Sequence, residues 1–201
     1  MNENNILTLT NSDALIVVDV QQDFLPGGSL AVPNGDQVVP VLNRCMALFE
    51  ARSLPIFATR DWHPANHCSF KEQGGRWPSH CVQHSEGAKW APGLTLPNST
   101  EVISKDYTPT LDTYSGFQQT DLAAKLRQCH SRRIFIGGLA TDYCVLHTTL
   151  DGMAAGFKAV VLEDAIRAVN IEPDDGTKAL ARMQAAGARI SSLQELSDAS
   201  E

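Results

Sequence analysis

Nowhere in this 201-residue chain does an apolar run approach the roughly eighteen residues that a membrane span requires. The stretch Met1 to Asp13 has neither a basic segment nor an apolar one, so no secretory signal is expected. Positive charge is the scarcer sign: 16 Lys and Arg stand against 23 Asp and Glu, a net −7 that argues against nucleic acid as a partner. No CxxC pair occurs among the five cysteines, so the usual spacing of a structural zinc site is missing. Their number is odd and they are scattered; Cys68 and Cys81 share a loop at a spacing that permits a bridge. Without a secretory signal the expected state is reduced thiols in the cytoplasm. Repeats, low-complexity tracts and linkers are also missing, and the length fits one domain, 1–201. What is present is ordinary for a soluble globule, 43% hydrophobic and 19% charged. Nothing in the composition chooses between a monomer and a homo-oligomer.

Apolar runs alternate with helical patterns. Ala14 to Val20 is a continuous apolar run and predicts a central parallel strand buried on both faces. Pro55–Thr59, Glu101–Lys105, Arg132–Ile136, Lys158–Leu162 and Ala188–Ser191 read as further strands. Gly35–Arg52, Phe117–Gln128, Asp142–Gly156 and Pro173–Gly187 read as helices, the last two closed by glycine. The pattern predicts an α/β single-domain three-layer sandwich, with a mostly parallel sheet of about six strands flanked by helices. Arg60 to Trp90 is the irregular exception; it holds all three tryptophans and four of the six histidines, and a loop of that length in a compact domain is usually functional.

Ile134 to Cys144 organises the rest. A short apolar run ends in Gly137 and Gly138, a small-residue turn follows, and Cys144 stands at the head of a helical pattern. Such a strand–turn–helix elbow holds a nucleophile above a sheet edge with backbone N–H groups facing the same point; the competing reading is a plain junction with a small buried cysteine. Asp19 interrupts its apolar run near the C-terminal end, where open parallel sheets bind ligands, and a structural ion pair is its alternative role. Lys105 also falls at a strand end, so a parallel sheet brings Asp19, Lys105 and Cys144 together. A helix N-terminus, a lysine and a carboxylate base are each able to activate a thiol. The second constellation is Asp61, His63 and His67, with His80 returning from the loop. One carboxylate with two or three imidazoles is a set suited to one divalent ion: zinc first, iron or manganese as alternatives.

Five segments in order, Val18–Phe24, Arg60–Pro64, Trp77–Cys81, Lys105 with Tyr114–Phe117, and Gly138–Cys144, resemble the nicotinamidase/pyrazinamidase members of the isochorismatase-like hydrolases. The resemblance implies a cytoplasmic, metal-dependent amidohydrolase converting nicotinamide to nicotinate and ammonia in NAD salvage, and acting on pyrazinamide. It implies Cys144 as nucleophile, Asp19 as the base that later protonates ammonia, and Lys105 as holder of both charges. The N–H groups of Ala140 and Cys144 would form the oxyanion hole, and the Leu139–Ala140 bond would be cis. Asp61, His63 and His80 would bind the metal, with His67 as a further ligand, and Phe24, Trp77 and Tyr114 would wall the ring. Asp106, next to Lys105, is a competing partner for it. Asp142 is expected to cap its helix, with elbow orientation as the alternative. His84, Cys45, Cys68, Cys81 and Cys129 are left as structural or incidental.

Two other readings stay open. A cysteine amidohydrolase of the same superfamily cutting a carbamoyl or ureido substrate shares Cys144, but many such relatives lack the Asp61/His63/His80 set. A non-catalytic metal-binding or redox-sensing protein uses the same thiol and histidines without turnover. An isochorismatase proper, cleaving a vinyl ether, would lack Cys144.

Overall fold

A computed structural model describes residues 6–197. Six strands form one sheet: β2 (Asp13–Val18), β3 (Ile56–Asp61), β4 (Glu101–Lys105), β5 (Arg133–Leu139), β6 (Lys158–Arg167) and β7 (Arg189–Ser191). Their order is β4-β3-β2-β5-β6-β7, and every pairing is parallel. Helices α1 (Val38–Ala51), α2 (Leu122–Gln128), α3 (Leu146–Ala154) and α4 (Asp175–Ala185) flank it. A two-residue strand β1 (Leu7–Thr8) pairs in parallel with β8 (Leu196–Ser197), a contact too short for any sequence period to reveal.

The continuous apolar run of β2 is explained by its place at the centre, where all six residues are buried. Alternation sends Leu15 and Val17 to one core with Leu42, Met46 and Phe49 of α1. Ile16 and Val18 go to the opposite core with Leu122, Leu126, Leu146 and Met183 from α2, α3 and α4. The result is three layers. Successive strands run outward from β2 on one side and from β5 on the other, so the order reverses between these two neighbours. Their C-terminal ends form the crevice where such sheets bind ligands.

Several boundaries differ from the sequence expectations. Asp19 lies one residue beyond β2 in the left-handed region, φ 49°, which Asp tolerates better than most residues. The helix expected over Phe117–Gln128 begins only at Leu122; Thr120 Oγ1 bonds the Gly116 carbonyl at 2.5 Å and holds the preceding segment as a turn. β6 runs five residues beyond Leu162, with a register shift against β5 between Ile136 and Gly138. The helix expected from Asp142 opens with a single π-helical turn, Thr141–Val145, and is α-helical from Leu146. Among the described residues no helix is long and apolar enough to cross a membrane.

Candidate active site

Two glycines shape the elbow. Gly138 has φ +129°, and a Cβ there would lie 2.1 Å from the Val18 carbonyl oxygen, so only glycine lets β5 approach β2 this closely. The Leu139–Ala140 peptide bond is cis. The Ala140 carbonyl then accepts the N–H groups of Tyr143 and Val145, both at 3.1 Å, which closes the π-turn and sets buried Cys144 over the sheet edge.

Lys105 ends β4, Asp61 ends β3 and Asp19 follows β2, so parallel strands deliver all three to the same edge. The Lys105 ammonium is buried, 3.1 Å from Asp19 Oδ2 and 3.6 Å from Cys144 Sγ. It also donates to Asp61 Oδ1, and Asp106 Oδ2 lies 3.5 Å away. The pairing of Lys105 with Asp106 is therefore real, but it is the longest of the lysine's contacts with carboxylates. Burial works against the lysine's charge, and the carboxylates around it outweigh that and push its pKa well above the ordinary value. Burial raises Asp19 to about 6 despite the lysine and a 2.7 Å bond from Thr59 Oγ1. Burial likewise pushes the Cys144 thiol well up, Lys105 opposing and Asp19 reinforcing the rise. The thiol thus rests protonated beside a carboxylate able to take its proton.

Asp61 faces two ways. Burial favours its neutral form, but Lys105, His63 and His80 hold it down at about 2. Its Oδ2 points at His80 Nε2, 3.9 Å away. His63 Nδ1 lies 3.0 Å from the His80 carbonyl and His80 Nδ1 lies 2.8 Å from the Pro78 carbonyl. A carbonyl only accepts, so each Nδ1 carries the proton and each Nε2 keeps its lone pair. Burial lowers His63 to about 4 and lowers His80 too, keeping both rings neutral. Ligand atoms of Asp61, His63 and His80 all lie within 4.8 Å of one another. Three buried carboxylates also face one ammonium, an excess of negative charge that a cation relieves. The donor set fits a divalent ion. Asp19, Asp61 and Cys144 are equally close together, but Lys105 already serves as their cation.

His67, expected as a further ligand, stands outside the group whose ligand atoms converge. Its Nε2 donates to the Leu111 carbonyl at 2.8 Å and its Nδ1 meets Ser69 Oγ at 2.7 Å, so neither nitrogen is left for a metal. It braces the metal loop against the 106–114 segment. Asp142 is not a helix cap; it accepts the N–H groups of Val169 and Asn170, both at 2.9 Å, and orients the loop after β6. Asp23 accepts the Cys81 N–H at 2.7 Å and so positions the loop of His80. All five cysteines are free, Cys68 and Cys81 included.

These groups open into a cleft of about 430 Å³. Phe24, Trp77 and Tyr114 line it, as do Ala140, Cys144, Asp61, His63 and His80. Tyr143 and Val169 also line it, and the sequence reasoning missed them. Trp77 Nε1 donates to Tyr114 Oη at 3.1 Å, and Tyr143 packs edge-on to Trp77 at 5.1 Å. Tyr143 had one usable signal, an aromatic ring immediately before the elbow cysteine.

Fold and site together define a parallel-sheet α/β protein with a buried cysteine lining a cleft at its topological switch point. More narrowly, the chain belongs to the isochorismatase family, whose domain it matches over residues 13–195. It is 41% identical over 203 residues to a nicotinamidase of Escherichia coli (strain K12), with 90% of this chain and 95% of that protein covered. The pyrazinamidase of Pyrococcus horikoshii, solved in complex with zinc, superposes with a TM-score of 0.87 at 45% identity over 90% of this chain and 99% of that one. PnC1 from L. infantum, solved in complex with nicotinate, gives 0.89 at 38% identity over 96% and 99%.

Proposed function

We propose that this protein is a nicotinamidase, hydrolysing nicotinamide to nicotinate and ammonia through a thioester on Cys144, and accepting pyrazinamide as well. One observation carries the reading: the Cys144 thiol lines one cleft with an Asp/His/His donor set and three aromatic walls, and the buried Lys105 ammonium behind it contacts both that thiol and Asp19. Asp19 takes the thiol proton, and the thiolate attacks the carboxamide carbon. The oxyanion develops against the N–H groups of Ala140 and Cys144, the two elbow residues that line the cleft. Asp19 returns its proton to the departing ammonia, and the Cys144 thioester remains. Water then adds to that thioester, Asp19 accepting its proton; the C–S bond breaks, Asp19 returns the proton to the Cys144 thiolate, and the acid leaves as nicotinate after losing its proton to solvent. Lys105 keeps the Asp19 and Cys144 charges together throughout. Asp61, His63 and His80 would hold the metal, zinc before iron or manganese, and the bound ion supplies an electrophilic anchor for a ring nitrogen. Phe24, Trp77 and Tyr114 sandwich the flat ring. Chain 1–201 acts as one domain, and the five free cysteines support a reducing, cytoplasmic setting.

The test is direct. Purified protein with zinc is given nicotinamide, and ammonia and nicotinate are quantified. Wild type releases both in equal amounts, and Cys144→Ala releases at least about 1,000-fold less while still binding nicotinamide. Ammonia from a ureido substrate alone would support the carbamoyl-amide reading. Zinc binding without any ammonia would support a binding protein.

A further inference from the structure

Gln21 lies in the first segment of the family resemblance and has no role in the chemistry above. It is fully buried, 0% exposed. Its carboxamide takes the place of a strand. Nε2 donates to the Asp61 carbonyl at 2.8 Å, and Oε1 accepts the Asp61 N–H at 2.8 Å. The second Nε2 proton goes to the Ala88 carbonyl at 3.0 Å. These are the two hydrogen bonds of a ladder pair, made by a side chain where the main chain has turned away. The turn is Asp19, whose left-handed φ of 49° takes the backbone out of β2 just as β3 reaches Asp61. Without Gln21 the N–H and C=O of Asp61 would be buried with no partner from that side.

Asp61 is the residue that both halves of the site share. One carboxylate oxygen receives Lys105, and the other faces His80. Its main chain sets where both oxygens fall. We infer that Gln21 is a positioning residue which, by clamping the Asp61 main chain, aligns the nucleophile cluster and the metal-ligand set at once. This rests on the nicotinamidase reading only through the turnover measurement; metal affinity tests it independently. Loss of an outer hydrogen-bond partner typically weakens metal binding by about 10- to 100-fold. A residue that served the metal set alone would lose turnover only through lost metal, and excess metal would restore it. A residue that also places Asp61 against Lys105 leaves a deficit that metal cannot restore.

The experiment uses Gln21→Met, which keeps length and removes all three hydrogen bonds. Its control is Asn43→Leu, because Asn43 makes a similar two-way clamp outside the cleft lining, Nδ2 to the Gly93 carbonyl at 2.8 Å and Oδ1 from the Thr95 N–H at 2.9 Å. Zinc affinity is measured by chelator competition, thermal midpoint by circular dichroism, and kcat and KM for nicotinamide at saturating zinc. Expected for Gln21→Met is zinc affinity about tenfold weaker or more, and kcat still about tenfold low once zinc saturates. Asn43→Leu, even with a comparable thermal shift, keeps both. Full recovery of kcat on adding zinc, unchanged zinc affinity, or equal losses in Asn43→Leu each overturn the inference. If Gln21→Met does not accumulate as folded protein, Gln21→Glu replaces it, keeping the acceptor for Asp61 N–H but setting a carboxylate oxygen against two carbonyls. If wild type does not turn over nicotinamide, the functional reading fails, while the zinc comparison still decides whether Gln21 positions Asp61.

Discussion

Asp19 cannot behave as a surface carboxylate. It is fully buried and close to the Asp61 carboxylate, and these outweigh Lys105 and the Thr59 hydroxyl, so its proton is held until about pH 6. The direction for catalysis follows. Below that value Asp19 is protonated and cannot take the proton of Cys144; above it the carboxylate is free to do so. With zinc saturating, kcat/KM is expected to fall about tenfold per pH unit below pH 6. A profile flat down to pH 4.5 would remove Asp19 as the base. Asp106 is also raised to about 6, chiefly by burial, and couples to the same lysine. The assignment therefore needs Asp106→Asn, which retains the acid limb, beside Asp19→Asn, which loses turnover altogether. Of these residues, Asp19 and Lys105 stood out in the sequence because they interrupt or end a strand pattern, and Cys144 because it heads a helical pattern just after one. The bond from Lys105 to Asp61 was not legible there, since it joins residues 44 positions apart. The bond of His67 to the Leu111 carbonyl was hidden for the same reason: a histidine four positions after another resembles a ligand, and its partner lies far along the chain.

At the scale of elements, the elbow depends on β5 pressing against β2 at Gly138. Two glycines of similar backbone conformation separate conformation from contact. Gly138 and Gly156 have φ of +129° and +97°, yet a Cβ at Gly156 meets nothing within 4 Å while one at Gly138 strikes the backbone of Val18. Gly156→Ala is expected to cost about 1 kcal/mol in urea unfolding and to leave turnover near wild type. Gly138→Ala should cost about 3 kcal/mol or more and take Cys144 out of register, with turnover lost even in the folded fraction. Equal costs at the two positions would mean that the close approach of β5 to β2 has no consequence. The sequence marked Gly137 and Gly138 as the end of an apolar run before a turn, and β5 carries both, running on to Leu139. The extension of β6 to Arg167 was not readable, because Glu163 and Asp164 interrupt its apolar run; yet that extension carries Val169 to the cleft.

For the whole molecule, the sheet order puts Cys144 and the Asp61/His63/His80 donor group at the same crevice. The donors themselves all come from β3 and the loop after it, residues 61–80. That loop has little regular structure, and side-chain bonds such as Asp23 to Cys81 hold it to the rest. A cation bound by three of its side chains in the folded state alone stabilises the whole fold by mass action. At a free zinc concentration one hundred times the dissociation constant the gain is about 2.7 kcal/mol. For a chain of this size that raises the thermal midpoint by roughly 5 to 10 °C, and the midpoint climbs further with zinc concentration. The variants then read the ligand set without any reference to turnover. His80→Ala should abolish the zinc-dependent shift. Cys144→Ala should keep it, because the thiol belongs to the lysine cluster. His67→Gln should start from a lower midpoint, having lost its brace to Leu111, yet rise by the same amount on adding zinc. A shift abolished in His67→Gln and retained in His80→Ala would reverse the assignment, since the hydrogen bonds of His67 would then have to break for the ion to bind.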